Sequence, residues 1–160
     1  MNANTAKAGV ISSDELRAHW QGHRGLTRRV IAAFPEKEFF EFSIGGMRTA
    51  AELTMELIAV GAPGLRQIAH RTTEELSEEP AFKTKSQALE LWDQGSAEID
   101  RLWAQIPEDR FGEEVVTFGK YPGTVQSSIL YFIDNEIHHR GQMYVYLRAL
   151  GVEPPYFWER

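Results

Sequence analysis

The chain has 160 residues, of which 42% are apolar and 25% are charged, and its formal net charge is −6. This length and composition predict one globular domain with one core. The chain has no cysteine, which excludes disulfides, zinc-thiolate sites and a cysteine nucleophile. The acidic charge without a basic cluster argues against a nucleic-acid partner. Because no segment resembles a membrane span or a signal peptide, we expect a cytoplasmic protein.

The first predicted element is a helix that follows a flexible tail of residues 1–11. Ser12-Ser13-Asp14-Glu15 has the capping-box pattern of a helix start. Pro35 cannot continue a helix, so we expect this one to end near Ala33. Its apolar stripe recurs at steps of three and four and consists of Leu16, Trp20, Thr27, Val30 and Phe34.

Two further capping-box patterns predict two more helices. Thr49-Ala50-Ala51-Glu52 begins the second predicted helix, in which Gly61 and Pro63 predict a kink. Thr84-Lys85-Ser86-Gln87 begins the third, which continues until Pro107 stops it. The tryptophans that lie on apolar helical stripes, and that we predict to be buried, are Trp20, Trp92 and Trp103.

A fourth helix completes the predicted fold. The β-branched run Glu114 to Phe118, followed by the turn-rich residues 119–123, indicates an extended segment and a turn rather than part of a sheet. The last helix is predicted from Thr124 to Leu150, with Gly151 as its terminating residue. Four long amphipathic helices without a second strand predict an all-α fold, a four-helix bundle spanning residues 12–160.

Two ionisable residues, Glu136 and His139, lie on the apolar stripe of the last helix. That stripe consists of Ile129, Phe132, Glu136, His139, Met143, Tyr146 and Leu150. Glu56 lies on the apolar face of the second helix, and if the two helices face each other it meets Asn135, Glu136 and His139. Imidazole and carboxylate together suit a divalent transition metal. The alternative is that Glu56 and His139 form a buried hydrogen-bonded pair without a metal.

Several neighbouring residues have simpler interpretations. His19 and His23 have the i, i+4 spacing of a chelating pair, but packing is the preferred interpretation, with His23 a pocket-lining candidate. Arg140 is expected at an exposed or interhelical position, and Gly141 is expected to permit close helix packing. The aromatic segment 156–158 is expected to pack on the bundle or on a partner subunit, with Trp158 more exposed than the other tryptophans.

Several motifs together resemble one known family. In the last helix these are His138-His139-Arg140-Gly141-Gln142 and the run 144–148, followed by Gly151. Near the second helix they are Met47-Arg48-Thr49 and Glu52-Leu53. With this spacing, the chain resembles the DinB-like family of four-helix bundles over roughly its whole predicted domain.

The resemblance implies a metal site and an activity. Members typically bind a divalent metal through one histidine of the second helix and two of the last, positions that fall on Glu56, Asn135 and His139 here. Such a metal (zinc, nickel, manganese or iron) would polarise a small electrophile or lower the pKa of a bound thiol or water. The resemblance thus implies a metal-dependent transferase or hydrolase acting on a small molecule, with a low-molecular-weight thiol as co-substrate. It also implies a homodimer.

A second hypothesis comes from a different functional class. In it the chain is a non-catalytic stress-related or ligand-binding bundle. Its Glu56 and His139 then form a hydrogen-bonded pair that needs no metal, because a buried carboxylate and an imidazole can satisfy each other. The sequence leaves both hypotheses open.

Overall fold

Four long helices dominate the structure, a computed structural model that describes residues 10–79 and 81–160. Most of the predicted tail, residues 1–11, lies outside the described residues. In chain order the elements are α1 Ser13–Ala33, α2 Glu36–Glu41, α3 Ala50–His70, α4 Lys85–Trp103, a 3₁₀ helix Glu108–Gly112, β1 Glu114–Thr117, β2 Tyr121–Thr124 and α5 Val125–Ala149. The four predicted helices are thus α1, α3, α4 and α5, whereas the short α2 was not predicted.

Side-chain caps start the long helices. The capping boxes predicted for α1 and α3 both form. At the start of α4 the Thr84 hydroxyl accepts from the Gln87 backbone N–H at 3.2 Å, but the Gln87 side chain accepts from Lys83. The start of α5 has a reciprocal pair that the sequence analysis missed, formed by Thr124 and Ser127. Each cap satisfies backbone donors that a helix start leaves without partners.

The helices pack in the cyclic order α1, α4, α3, α5, because α1 and α3 each contact both α4 and α5. α3 continues through Gly61 and Pro63 to His70. At Gly64 an added Cβ would lie 2.5 Å from Cζ of Phe132 on α5, so this glycine allows the close approach of α3 and α5. Gly141 was expected to have that role, but no atom of the described residues lies within 4 Å of a Cβ added there. That expectation is wrong for packing within the chain.

The segment before α5 forms a two-stranded antiparallel sheet. β1 and β2 pair with Glu114 opposite Thr124 and Thr117 opposite Tyr121. The prediction of an extended segment outside any sheet was therefore wrong. Phe118 and Gly119 both have positive φ, of 54° and 67°, and this left-handed pair reverses the chain tightly enough for the strands to meet.

Burial of the tryptophans follows the predicted stripes. Trp20 and Trp92 are 0% exposed and Trp103 is 5% exposed, whereas Trp158 is 63% exposed. The two apolar clusters of the core lie between α1, α3, α4 and α5. Among the described helices, none is both long enough and apolar enough to cross a membrane.

Candidate functional site

Glu56 on α3 and His139 on α5 lie together, as the stripes of their helices predict. Oε1 of Glu56 is 3.1 Å from Nε2 of His139. His139 is buried, and the Glu56 side chain is 20% exposed. The pair therefore lies at the edge of the bundle, where α3 and α5 meet and solvent reaches one member.

Both side chains have a second partner. Oε2 of Glu56 lies 2.5 Å from Nη1 of Arg48, just before α3. Nδ1 of His139 lies 2.8 Å from Oε1 of Gln142, one turn further along α5. The Tyr146 hydroxyl donates to the Arg48 carbonyl at 2.7 Å, which holds the Arg48 backbone against α5. We call these residues the α3/α5 polar site: Arg48, Glu56, His139 and Gln142.

The charges of this site act on the Glu56 carboxyl. Burial by itself would raise the pKa of Glu56, but the hydrogen bond from Arg48 and the charge and hydrogen bond of His139 outweigh it. The net effect lowers the pKa of Glu56 below its ordinary value. Glu56 is thus a carboxylate at neutral pH, and Arg48 supplies its compensating positive charge.

The third predicted ligand, Asn135, does not join this pair. Its side-chain nitrogen is buried and has no hydrogen-bond partner in the described chain, and neither Glu56 nor His139 bonds to it. Glu136 also points elsewhere, toward α1. Among residues 10–79 and 81–160, no three His, Cys, Asp or Glu side chains are grouped to hold a metal ion.

The donor set therefore does not fit a divalent metal in this arrangement. A metal would have to bind between Glu56 and His139, but Nε2 of His139 faces Oε1 of Glu56 at 3.1 Å, and Nη1 of Arg48 contacts Oε2. The Arg48 guanidinium also puts a positive charge beside Glu56, where it would repel a cation. The metal set Glu56, Asn135 and His139 stays a prediction.

A second polar cluster lies on the other side of α5 and centres on Glu136, which is 2% exposed. Oε1 of Glu136 lies 2.6 Å from the Thr27 hydroxyl. Oε2 accepts from the Trp20 indole N–H at 3.3 Å and lies 3.9 Å from Nη1 of Arg24. Glu136 is buried, as its position on the apolar stripe of the last helix predicts, but it does not lie beside Glu56 as expected. We call this group the α1/α5 ionic cluster: Trp20, His23, Arg24, Thr27, Glu136 and Arg140.

Arg24 is held in this cluster from several sides. Its guanidinium lies 3.8 Å over the Trp92 ring and donates to the Trp92 carbonyl and the Ser96 hydroxyl of α4. Two glycines leave room for it, since a Cβ at Gly61 or Gly95 would lie 3.4 or 3.3 Å from its terminal nitrogens. Sequence reasoning missed Arg24, although it continues the steps of four and three that join Trp20 to Thr27.

Arg140 completes the ionic cluster, which confirms the interhelical alternative for this residue. Its Nη1 lies 3.8 Å from Oε1 of Glu136, and its Nη2 donates to Nδ1 of His23 at 2.9 Å. His23 is buried and packs in the core. Burial, together with the charges of Arg140, His19 and Arg160, lowers the pKa of His23 to about 3.

Desolvation has the largest effect on the pKa values of Glu136 and Arg24 in the ionic cluster. Burial raises the pKa of Glu136, against the opposing effects of Arg24, Thr27, Arg140 and Trp20. Burial likewise lowers the pKa of Arg24. Because these charges lie out of water, each depends on its partners inside the protein. Such an enclosed group is suited to holding α1, α4 and α5 in place, whereas the α3/α5 polar site is open enough to meet a ligand.

The fold and the open polar site between α3 and α5 define a four-helix-bundle protein with one candidate binding edge. The DinB family model matches residues 1–159, and the chain belongs to the DinB family. Its fold is similar to that of a DinB-like protein from Bacillus cereus ATCC 10987, with a TM-score of 0.75 and 15% identity over 91% of this chain and 97% of that one. A DinB-like protein from Bacillus subtilis has a TM-score of 0.72 and 18% identity over 91% of this chain and 99% of that one. Comparison with curated proteins gives no match.

Proposed function

We propose that this DinB-family chain is a ligand-binding bundle whose α3/α5 polar site works without a catalytic metal. One observation carries the proposal: Arg48 and His139 occupy the two oxygens of Glu56. The guanidinium supplies a compensating positive charge for this partly buried carboxylate. The site is then complete as a hydrogen-bonded group, which corresponds to the second of the two sequence hypotheses.

The ligand would be a small polar molecule that approaches from the Arg48 side. The Arg48 side chain is 44% exposed, and its guanidinium presents several donors in a plane. The partly exposed Glu56 carboxylate beside it accepts hydrogen bonds. A small molecule with both an acceptor and a donor group would match this pair.

The competing candidate is a metal-dependent transferase or hydrolase, and one distance favours it. At 3.1 Å, the separation of Glu56 Oε1 and His139 Nε2 is also about that of two ligands on one divalent ion. If Arg48 moved away, Glu56 and His139 could hold zinc, nickel, manganese or iron, with Asn135 as a third donor. The metal would supply Lewis acidity, including activation of a low-molecular-weight thiol.

Thermal melts with and without a chelator, on tag-free protein, decide between the two candidates. In the metal-free proposal, Glu56→Gln removes the anionic partner of His139 and costs on the order of 1–3 kcal/mol of stability. That loss should be the same with and without chelator, and metal analysis should find far less than one metal ion per chain. Glu90→Gln, on an exposed part of α4, is the matched control and should melt like the native protein.

The opposite pattern would support the metal enzyme. A chelator would then lower the melting temperature of the native protein but not that of Glu56→Gln, because only the native protein would have bound metal to lose. Stoichiometric metal in the native protein that disappears in Glu56→Gln would overturn the metal-free proposal.

A further inference from the structure

A cleft lies between the end of α3 and the hairpin, about three helical turns of α3 away from Glu56. It has a volume of about 200 Å³ and is lined by Gln67, Ile68, residues 71–73 and residues 113–117, which include all of β1. Because none of these lining residues belongs to β2, the cleft lies along the edge of β1 that faces away from β2. We call it the β1 cleft. Its volume is many times what one water molecule needs.

The register of the hairpin directs backbone groups of β1 toward this cleft. The Val125 N–H donates to the Glu113 carbonyl at 2.9 Å, which makes these two residues a hydrogen-bonded pair. Bonded pairs alternate along an antiparallel ladder, so the N–H and C=O groups of Glu114 and Val116 point away from β2. Within residues 10–79 and 81–160, these four groups have no hydrogen-bond partner.

The outer edge of β2, in contrast, offers no free N–H group. Pro122 lies opposite Val116 and has no N–H to donate. Thr124 lies opposite Glu114, and its N–H donates to the Ser127 hydroxyl at 2.8 Å. A proline on an edge strand prevents pairing with a further strand. The hairpin therefore protects the edge of β2 and leaves two donors on the edge of β1.

Gln67 adds a buried donor to the same cleft. Its side chain is 3% exposed, and its Oε1 accepts from the backbone N–H groups of Phe118 at 2.9 Å and Glu74 at 3.3 Å. These two contacts fix which end of the amide carries the oxygen. Nε2 is buried and has no hydrogen-bond partner in the described chain. Because an unpaired buried donor is unfavourable, a ligand carbonyl that reached Nε2 would stabilise the complex.

The β1 cleft also has a carboxylate that no arginine neutralises. Glu113 is paired with both Arg71 and Arg110, each at 2.9 Å. Glu114, which also lines the cleft, is exposed and forms no ion pair within the described part of the chain. Opposite charges on neighbouring strands attract each other. A strand placed beside β1 would therefore be favoured if it carried a basic side chain opposite Glu114.

We propose that the β1 cleft binds a short, extended, basic peptide segment, which adds to the edge of β1 as a third strand. Main-chain amides fit this edge because Glu114 and Val116 each offer one donor and one acceptor, the groups that an added strand pairs with. A carbonyl of the segment accepts from Nε2 of Gln67, and a lysine or arginine faces Glu114. The proposal does not depend on the function of the α3/α5 polar site.

Amide NMR spectra of the full chain, titrated with the peptide acetyl-Lys-Ala-Lys-amide, test the proposal. Its order reads the same in both directions, so a lysine can face Glu114 whether the added strand is parallel or antiparallel. The backbone signals of Glu114 and Val116 and the side-chain NH₂ signals of Gln67 should shift most. The charge-reversed peptide acetyl-Glu-Ala-Glu-amide is the matched control and should bind about fivefold more weakly or worse.

Val116→Pro tests the strand edge. It removes one outward donor but no bond to β2, so the hairpin should form while binding weakens on the order of tenfold or more. Val116→Thr changes the side chain at the same position but keeps the N–H, and it should bind like the native chain. Unchanged NMR signals outside the hairpin would show that both variants keep the fold. Equal binding by Val116→Pro and Val116→Thr would overturn the proposal.

Gln67→Glu tests the buried donor. It keeps an oxygen for the N–H groups of Phe118 and Glu74 but replaces Nε2 with a second oxygen, so peptide binding should weaken severalfold. The added negative charge would by itself attract a lysine peptide, so a weaker complex reports the lost donor. Unchanged or tighter binding by Gln67→Glu would overturn the role of Gln67. The absence of shifts at Glu114 and Val116 with several millimolar peptide, or shifts scattered over the acidic surface, would overturn the whole proposal.

Discussion

Two polar clusters lie only one helical turn apart on α5 but differ in their access to water. Glu136 points toward α1 and is 2% exposed, with Arg24 equally buried at 2%. Glu56 and Arg48, which meet His139 on the α3 side, have side chains that are 20% and 44% exposed. The same residue types, carboxylate, guanidinium and imidazole, therefore form an enclosed group on one side of the helix and an open one on the other.

This difference in burial indicates a structural role for the α1/α5 ionic cluster and a ligand-binding role for the α3/α5 polar site. A charge withdrawn from water must find all its compensation inside the protein, so the α1/α5 ionic cluster is fixed and any change to it unbalances several partners. In the α3/α5 polar site, water can replace a lost partner, so its contacts can be exchanged for those of a ligand.

Removing the central carboxylate of the enclosed cluster should have the largest effect. Glu136→Ala leaves Arg24 and Arg140 as buried charges without their shared anion, which costs about 3–5 kcal/mol. Urea unfolding monitored by circular dichroism measures this loss of stability. Glu90→Ala, at an exposed position of α4, should change stability by no more than about 0.5 kcal/mol. A loss below about 1 kcal/mol for Glu136→Ala would mean that water reaches the cluster.

The buried imidazole of the same cluster should make stability fall in mild acid. The pKa of His23 is lowered to about 3 in the folded protein, whereas an unfolded histidine titrates near 6.5. Between these values the unfolded chain binds a proton that the folded chain does not. Stability is therefore complete above about pH 6.5 and declines as the pH falls, by about 2 kcal/mol between pH 6.5 and pH 5.

His23→Asn tests the origin of this decline. Its side-chain oxygen can accept from Arg140 in place of Nδ1 of His23, but it cannot take up a proton. Urea unfolding at pH 7 and pH 5 should therefore show a smaller loss in the variant than in the native protein. His70→Asn, at an exposed histidine, should keep the native loss. Equal losses in the native protein and His23→Asn would assign the decline to other groups.

The long elements and the pairing of Glu56 with His139 could be predicted from the sequence, because both follow from local chemistry. Capping boxes mark helix starts, and steps of three and four placed both residues on buried stripes. The side of α5 that each polar residue faces could not be predicted. Glu136 and His139 share one broad stripe, and the order of packing, with α1 on one side and α3 on the other, separates them.

The hairpin and Arg24 were missed for different reasons. The pairing of β1 with β2 depends on two consecutive residues with positive φ, and only one of them, Gly119, is a glycine. Phe118 gives no sign in sequence that it adopts such a conformation. Arg24 lies on the buried stripe, but its burial depends on the space beside Gly61 and Gly95 of two other helices, which sequence periodicity does not reveal.

The space that Gly95 leaves for Arg24 predicts a smaller effect on stability. Gly→Ala at an open helical position stabilises by about 1 kcal/mol. Gly25 of α1 should show this gain, because no atom of the described part of the chain lies within 4 Å of a Cβ added there. At Gly95 the new methyl group would press on Arg24, whose contacts with Trp92 and Ser96 leave it little freedom. Gly95→Ala should therefore give no gain or a net loss in thermal unfolding. An equal gain at both positions would show that Arg24 can move.

The smallest effect is expected in the open site, from Arg48→Met. The variant removes the cation beside Glu56, but at 44% exposure of the Arg48 side chain water replaces much of the interaction, so the loss at pH 7 should not exceed about 1 kcal/mol. Lys37→Met, at the exposed Lys37–Glu41 pair with its 3.8 Å separation, is the matched control and should lose less.

The pH dependence of this loss identifies its cause. The lowered pKa of Glu56 contributes stability that is present above the ordinary carboxyl range and is lost as the pH falls through the folded-state pKa. Arg48→Met removes one of the groups that lower this pKa, so the native protein has more stability to lose in acid. The native protein and the variant should therefore differ most at pH 7 and converge as Glu56 becomes protonated, which urea unfolding at pH 7 and in acid would measure. A loss at pH 7 as large as that of Glu136→Ala would show that the α3/α5 polar site is as enclosed as the α1/α5 ionic cluster, and the division between them would not hold.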